Sequence, residues 1–435
     1  MTHPLVESST RNRGSGLRLK HRAVIQTGVT LSGDGDAADP EWPYLRVANV
    51  QTGFIDLSEI KCIRVPETMA NTVMLRRGDV LMTEGGDIDK LGRGARWGGS
   101  VSPMLHQNHV FAVRPGDDLD TAFLVYWLEA RVARDYFLTT ARRSTNLAST
   151  NKWTVGNLPL PHTPIDEQRA IADFLDRETA RIDTLIKEQQ RLVELLRRRR
   201  SAIRTERALR GTRATETVAS ILPWADQLPA DWEVVPLTSV ARLESGHTPS
   251  RTREDWWQDC YIPWISLNDV GAMRESKYLE CTTHQLSDEG IANSSARLLP
   301  SDTVVLSRDA TVGRTSIMRI PMATSQHFAA WICGPRLDPE YLWTLFTDAM
   351  QPYFASFQNG STIRTIGMDD LKAFRIPLPP LDEQRLIVAH LDTQTAKIDT
   401  LIAETEKFIE LSRERRSELI TAAVTGQIDI RQEVA

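Results

Sequence analysis

Apolar residues recur at steps of three, four and seven through two long stretches of the chain. The first stretch carries Ile171, Leu175, Ile182, Leu185, Leu192, Leu196 and Ile203, and the second Ile387, Leu391, Ile398, Leu401, Phe408 and Leu419. A period near seven predicts a long helix with a coiled-coil seam, and two such helices in one chain can pair with each other. Ile186, Val193, Ile402 and Ile409 lie beside that seam and widen the stripe. Gln189 and Thr405 interrupt it, either as register-setting polar positions or as a solvated edge. Each helix spans roughly 40 residues, about 60 Å at 1.5 Å per residue. Elsewhere the pattern is mixed. Short β-rich runs such as Tyr44-Leu-Arg-Val-Ala48 and Thr303-Val-Val-Leu306 alternate with Gly, Asp and Ser turns, while 125–137 and 342–354 read as helices with apolar faces. The fold class expected is α+β.

The two helical stretches are copies of one another. Residues 166–201 align without a gap on 382–417, at an offset of 216, with 21 of 36 positions identical. Each copy follows a proline-rich segment, Leu158-Pro-Leu-Pro161 or Ile376-Pro-Leu-Pro379, which marks the exit from a domain because proline disrupts ladders and helix interiors. Asp166 and Asp382 stand where helix-capping carboxylates are expected. The preceding segments repeat more loosely. Gly78-Asp-Val-Leu81 matches Ser301-Asp-Thr-Val304, Leu91-Gly-Arg93 matches Val312-Gly-Arg314, and Asn108-His109-Val-Phe matches Gln326-His327-Phe. Asp120-Thr-Ala-Phe-Leu124 matches Asp338-Pro-Glu-Tyr-Leu342, and Ser144-Thr145 matches Ser361-Thr362. Between these landmarks the halves differ almost completely. The chain therefore reads as a domain over 1–160, a long helix within 161–212, a second domain over 213–379, and a second long helix with its tail over 380–435.

Composition narrows the class. At 435 residues, with 41% hydrophobic and 25% charged residues, the chain is an ordinary globular protein of more than one domain. No apolar run reaches 18 residues and the first 20 are polar, so neither a membrane span nor a signal peptide is expected, and the location expected is cytoplasmic. Cys62, Cys260, Cys281 and Cys333 are far apart, which favours reduced thiols over a disulfide framework or a zinc site. A net charge of −5 neither makes nor excludes a nucleic-acid partner, since arginines can gather on one face.

Antiparallel pairing of the two helices would place the unequal domains at opposite ends of a rod, related by a pseudo-twofold axis. Such a shape suits two different half-sites on a DNA duplex separated by unread bases. The whole arrangement resembles the specificity subunit of type I restriction–modification systems. The resemblance rests on the Pro-Leu-Pro…Asp-Glu-Gln-Arg…Ile-Asp-Thr-Leu-Ile segments within 159–186 and 377–402, with support from Tyr44-Leu-Arg-Val-Ala-Asn-Val50, Arg77-Gly-Asp-Val-Leu81 and Ser307-Arg-Asp-Ala-Thr-Val-Gly-Arg314. It implies two target-recognition domains separated by two antiparallel helices. It also implies double-stranded DNA as ligand, two methyltransferase subunits docked on the helices, and restriction–translocase subunits in the full assembly.

A DNA-reading surface combines phosphate clamps with base-edge readers. In the first domain the candidates are Lys90, Arg93 and Arg96 after Gly85-Gly86, then Arg142, Arg143, Asn146 and Lys152, with Gln107 and Asn108 as readers. In the second they are Thr248, Ser250, Arg251, Arg253, Arg308, Arg314, Gln326, Ser361, Thr362 and Arg364. His106 and His109, three apart, lack a third ligand nearby, so a structural or DNA-facing role is favoured over a metal. The run Arg197–Arg200 reads either as a solvated face or as a contact with DNA or a partner. No catalytic apparatus is legible: no P-loop, no Asn/Asp-Pro-Pro-aromatic loop and no cofactor motif. Asp39, Glu59 and Lys61 faintly mimic a nuclease triplet, and a protein-binding scaffold without DNA affinity is the remaining alternative.

Overall fold

The computed structural model describes residues 17–30, 36–88, 91–143, 148–213, 215–357, 365–428 and 430. The chain divides into two compact units, one formed by 1–190 with 407–435 and the other by 191–406. Each unit thus takes one globular part together with a portion of both long helices, rather than ending where the helices begin.

The same α+β plan is built twice. In the first unit a four-stranded sheet runs in the order Ala23–Thr27, Val110–Pro115, Val80–Thr83, Gly94–Arg96, with every neighbour antiparallel. In the second, Ala241–Ser245, Phe328–Cys333, Val304–Ser307 and Thr315–Met318 follow the same order, and Tyr278–Leu279 adds a parallel fifth strand. A smaller sheet accompanies each. Glu41–Leu45 lies antiparallel to Lys61–Arg64 and parallel to Leu105–His106, as Ile262–Ile265 does to His284–Leu286 and Ala323–Thr324.

Both faces of the central strands Val80–Thr83, Val110–Pro115, Val304–Ser307 and Phe328–Cys333 are largely buried, which is why they read as continuous apolar runs, unlike the outer strands Ala23–Thr27 and Ala241–Ser245. Val304 and Leu306 pack toward Tyr341, Leu342, Phe346 and Phe374, while Val305 packs with Ile265, Met318 and Phe328 on the other face. In the first unit Val80 and Met82 face Phe123, Leu124 and Leu128, and Leu81 faces Leu45, Trp97 and Met104.

Several sequence expectations shift in detail. Residues 125–137 belong to two helices, Thr121–Glu129 and Arg131–Thr140, broken at Ala130, where ψ is 148°. Their counterpart is Pro339–Thr344, a π-turn over Leu345–Ala349, and Gln351–Ser356. The loose repeat moves by one residue: Gly78 and Asp302, both with positive φ (95° and 62°), precede matching strands, so Gly78 pairs with Asp302 rather than Ser301. Pro159 and Pro377 do not leave the fold. They sit in short two-stranded ladders with Leu17–Arg18 and Glu233–Pro236, where a strand has one open edge and a missing N–H costs nothing.

The long helices are Ile165–Arg210 and Leu381–Val424. Asp166 and Asp382 therefore lie inside the first turn, not at the cap, where their charges suit the helix dipole, and Asp166 also lies 3.6 Å from Arg169. The residue that secures each helix start is the glutamine two positions on. Gln168 is fully buried; its Oε1 accepts from Asp120 N at 2.9 Å, and its Nε2 donates to Asp118 O and Thr163 O at 3.0 and 2.7 Å. Gln384 repeats the pattern with Asp338 N, Arg336 O and Pro379 O at 2.8, 2.9 and 2.8 Å. Asp120 and Asp338 in turn cap the helices that follow them, so one amide fixes a helix start, a loop and a second helix cap together.

Within the second unit the helices run antiparallel, with Arg197 paired to Glu406 and Arg200 to Asp399. Within the first, Arg416 pairs with Asp183 at 3.0 Å and with Glu129 at 2.8 Å. Asp183–Arg416 and Asp399–Arg200 are one ion pair written twice, which accounts for the aspartate of each Ile-Asp-Thr-Leu-Ile motif. The arginine run is thus mostly spoken for, since Arg198 also pairs with Glu194.

The packed seam differs from the expected one. Ile171, Leu175, Ile387, Leu391 and Ile398 are buried, and Ile182 and Leu196 are half-buried. Leu185 and Leu192 are 36% and 41% exposed, and Leu401 and Phe408 are 49% and 44% exposed, whereas Ile186, Val193, Ile402 and Ile409 are buried. The seam steps through Thr179, Ile182, Ile186, Gln189 and Val193, one position beyond the leucines. Its polar members in the second helix, Thr395, Thr405 and Ser412, are buried. The hydroxyls of Thr179, Thr405 and Ser412 bond the carbonyl four residues back, so they enter the seam without an unpaired donor.

Two outcomes test this packing. Gln168→Ala or Gln384→Ala strands one buried N–H and two carbonyls, and each should cost about 2–3 kcal/mol, read as a lower urea midpoint at unchanged slope. Val193→Glu should cost about 3 kcal/mol or more, while Leu192→Glu beside it should stay within about 0.5 kcal/mol in the isolated chain.

Candidate nucleic-acid interface

Three segments distant in sequence meet at the same place in each unit. In the first, the chain leaves Val80–Thr83 through Glu84 into Gly85–Gly86, which pairs with Ala148–Ser149, itself paired with Arg142–Arg143. Thr150 N donates to Glu84 O, and Glu84 N donates to His109 O, tying the turn 107–109 to the same ribbon. In the second unit Ile366 N donates to Arg308 O, and Arg308 N to His327 O. These are the matching bonds.

The sequence candidates fall into distinct groups. Arg142 and Arg143 are exposed on the outer strand of the ribbon, which brings their segment beside Gly85–Gly86 through Ala148–Ser149. Gln107 and Asn108 are half-buried in the adjoining turn, where their backbone N–H groups bond Leu45 O and Val29 O. Arg93 is half-buried and donates to Thr52 Oγ1, whereas Arg96 is exposed on the edge strand Gly94–Arg96. Lys152 is exposed in the first turn of a helix capped by Asn151. In the second half Thr248 donates to Gln326 Oε1 at 2.6 Å, so two predicted readers hold each other. Ser250 bonds Thr252, and Arg308 Nε donates to Ile366 O. Arg314 is half-buried, with its carbonyl in the turn beyond Ser307. Lys90, Asn146, Ser361, Thr362 and Arg364 lie outside the described residues.

Arg253 is held by Asp255 through two hydrogen bonds and stacks 5.0 Å from the Trp256 ring centroid. That bond draws the Asp255 carboxyl below its ordinary range, so a phosphate must displace a carboxylate to engage Arg253. Arg251 instead lines a groove of about 550 Å³ with Glu254, Trp257, Gln258, Trp264 and His284. Sequence reading missed this aromatic-lined wall, because its members come from three separate segments.

His106 is fully buried. Its Nδ1 donates to Val110 O at 2.7 Å, and burial pushes its pKa down, so the ring is neutral and structural. Among the described residues no three His, Cys, Asp or Glu side chains gather as a metal site, and no helix is long and apolar enough to cross a membrane. Of the nuclease-like triplet, Glu59 pairs with Arg46, and Lys61 lies on the edge strand Lys61–Arg64.

Known proteins resemble this chain in sequence and in fold. Residues 229–411 match the type I restriction modification DNA specificity domain. A putative type I restriction enzyme specificity subunit of Methanocaldococcus jannaschii (MjaX) is 21% identical over 94% of this chain and 92% of its own length. The chain is thus similar to type I specificity subunits, through the specificity-domain match in its second half and, at lower identity, along nearly its whole length. A second subunit from that organism, MjaIX, is 30% identical over a stretch covering 42% of each chain, so that match spans under half of the relative. A chain solved in work on complex assembly and conformational transition of the type I restriction–modification system superposes with a TM-score of 0.71, covering 94% of this chain and 96% of its own, at 18% identity. That likeness concerns the fold. The family match lies in the second half, and the duplicated sheets and glutamine bonds extend the same plan to the first.

Proposed function

We propose that the chain is the non-catalytic DNA-reading subunit of a type I restriction–modification complex. Two recognition domains, at 1–160 and 213–379, read the unequal halves of a bipartite, asymmetric DNA target. The long helices within 161–212 and 380–435 set the number of unread bases between those halves. One observation carries the reading: the same three segments converge in both units while the side chains they present differ, as Glu84 and Arg308 illustrate at one and the same backbone position. A shared scaffold with unlike surfaces is what two half-sites of different sequence require. The names of the relatives, all specificity subunits, support the same role.

The helices are proposed to dock two methyltransferase subunits, with restriction–translocase subunits joining in the full complex. Leu185, Leu192 and Leu195 on the first helix are exposed, and so are Leu401, Phe408 and Leu411, each 216 residues further on. Large apolar side chains repeated on a solvent face favour a protein partner over water.

The decisive experiment expresses the chain with its methyltransferase partners and maps modified bases by long-read sequencing. A bipartite motif that vanishes without this chain is the expected result; a short uninterrupted motif, or none, would overturn the proposal. Inserting one heptad into both long helices should lengthen the gap and leave both half-sites unchanged. Arg142→Ala and Arg143→Ala should each weaken binding across all sequences and lower the slope of log affinity against log salt by about 1. An unaltered slope would remove both residues from the interface.

A further inference from the structure

Both units set an imidazole against a carboxylate at one point of the fold. His109 Nδ1 lies 2.6 Å from Glu84 Oε2, and His327 Nδ1 lies 2.7 Å from both oxygens of Asp309. Each histidine stands just before the strand Val110–Pro115 or Phe328–Cys333, and each carboxylate just beyond Val80–Thr83 or Val304–Ser307. The backbone frame is shared, since Glu84 N and Arg308 N donate to the histidine carbonyls, both at 2.9 Å. Yet the carboxylates are not counterparts. Arg308 occupies the place of Glu84, and the second pair is completed by a shorter side chain one residue later. Two diverged surfaces reach the same pairing by different routes.

A carboxylate only accepts, so Nδ1 carries the proton in these bonds. In the neutral tautomer this leaves the lone pair on Nε2, at the edge turned away from the carboxylate. No described residue hydrogen-bonds Nε2 of either ring, and the side chains are 55% and 33% exposed. A phosphate clamp is a poor match here, because an anion lies against each ring. A base edge fits better.

We propose that His109 and His327 are base-reading residues, one for each half-site, presenting Nε2 as an acceptor to an exocyclic amino group in the major groove. Adenine N6 and cytosine N4 are the donors available there, whereas guanine and thymine present acceptors at the same edge. Glu84 and Asp309 are positioning residues that fix the tautomer, as carboxylates do for metal-bound histidines. The proposal rests on the chain being a DNA-reading subunit.

The test uses the full chain assembled with its methyltransferase subunits and a randomised duplex library read out by modification. If the unaltered complex yields no bipartite motif, the reading of function itself fails. Given such a motif, His109→Phe should erase the preference at one or two adjacent positions of one half-site, with discrimination falling about tenfold or more. His327→Phe should do the same in the other half-site alone. Glu84→Gln keeps an oxygen that Nδ1–H can bond but lets the amide turn and donate, so it should relax the same position as His109→Phe, less steeply, at unchanged melting temperature. It also serves if the phenylalanine variant fails to fold. Uniform loss across all sequences, or an unchanged motif in Glu84→Gln, would make these pairs pins for a turn and overturn the proposal.

Discussion

The structure depends on two buried primary amides. Gln168 and Gln384 each spend all three of their bonds inside the protein, on a loop carbonyl, a carbonyl just before the long helix, and the N–H of an aspartate that caps another helix. An unpaired polar group in such a place costs more than the bond itself contributes, so the three elements are obliged to keep their mutual geometry. Each globular part is thereby locked to the start of its long helix. This also explains why the Asp-Glu-Gln-Arg segment is identical in both copies: its glutamine is structural, and its aspartate is a first-turn charge.

Along the helices, burial and exposure divide two adjacent stripes. Ile186, Val193, Ile402 and Ile409 pack, and the leucines and phenylalanine beside them do not. The threonine and serine hydroxyls within the seam bond their own helix, so the packed face tolerates polar atoms without needing partners across it. The paired Asp183–Arg416 and Asp399–Arg200 contacts repeat the internal symmetry in electrostatic form. An apolar stripe left in solvent is costly to an isolated chain and useful to one that works in an assembly.

At the candidate interface the shared frame is backbone and the variable part is side chain. Strand-end amides hold the histidine turns in both units, while the first unit carries a basic ribbon and the second an aromatic groove with a guanidinium. Such a division lets recognition diverge without loss of fold, since main-chain bonds do not depend on which side chain is attached.

The sequence by itself determined the duplication, the two long helices and the α+β class, because a seven-residue period and a 21-in-36 identity are local, countable signals. It also offered Gln107, Asn108, Arg142, Arg143 and Gln326 as candidate readers, without saying which of them lie together. Tertiary structure alone decided which of two neighbouring apolar stripes is buried, since Leu192 and Val193 are equally hydrophobic by position and only the partner helix distinguishes them. The one-residue shift that pairs Gly78 with Asp302 came from backbone conformation, which unlike side chains conceal. The meeting of Glu84 with His109 and of Asp309 with His327, and the ribbon joining Gly85–Gly86 to Arg142–Arg143, were likewise not legible. They are made by hydrogen bonds between strands far apart in the chain, and no pattern within a single segment records its distant neighbour.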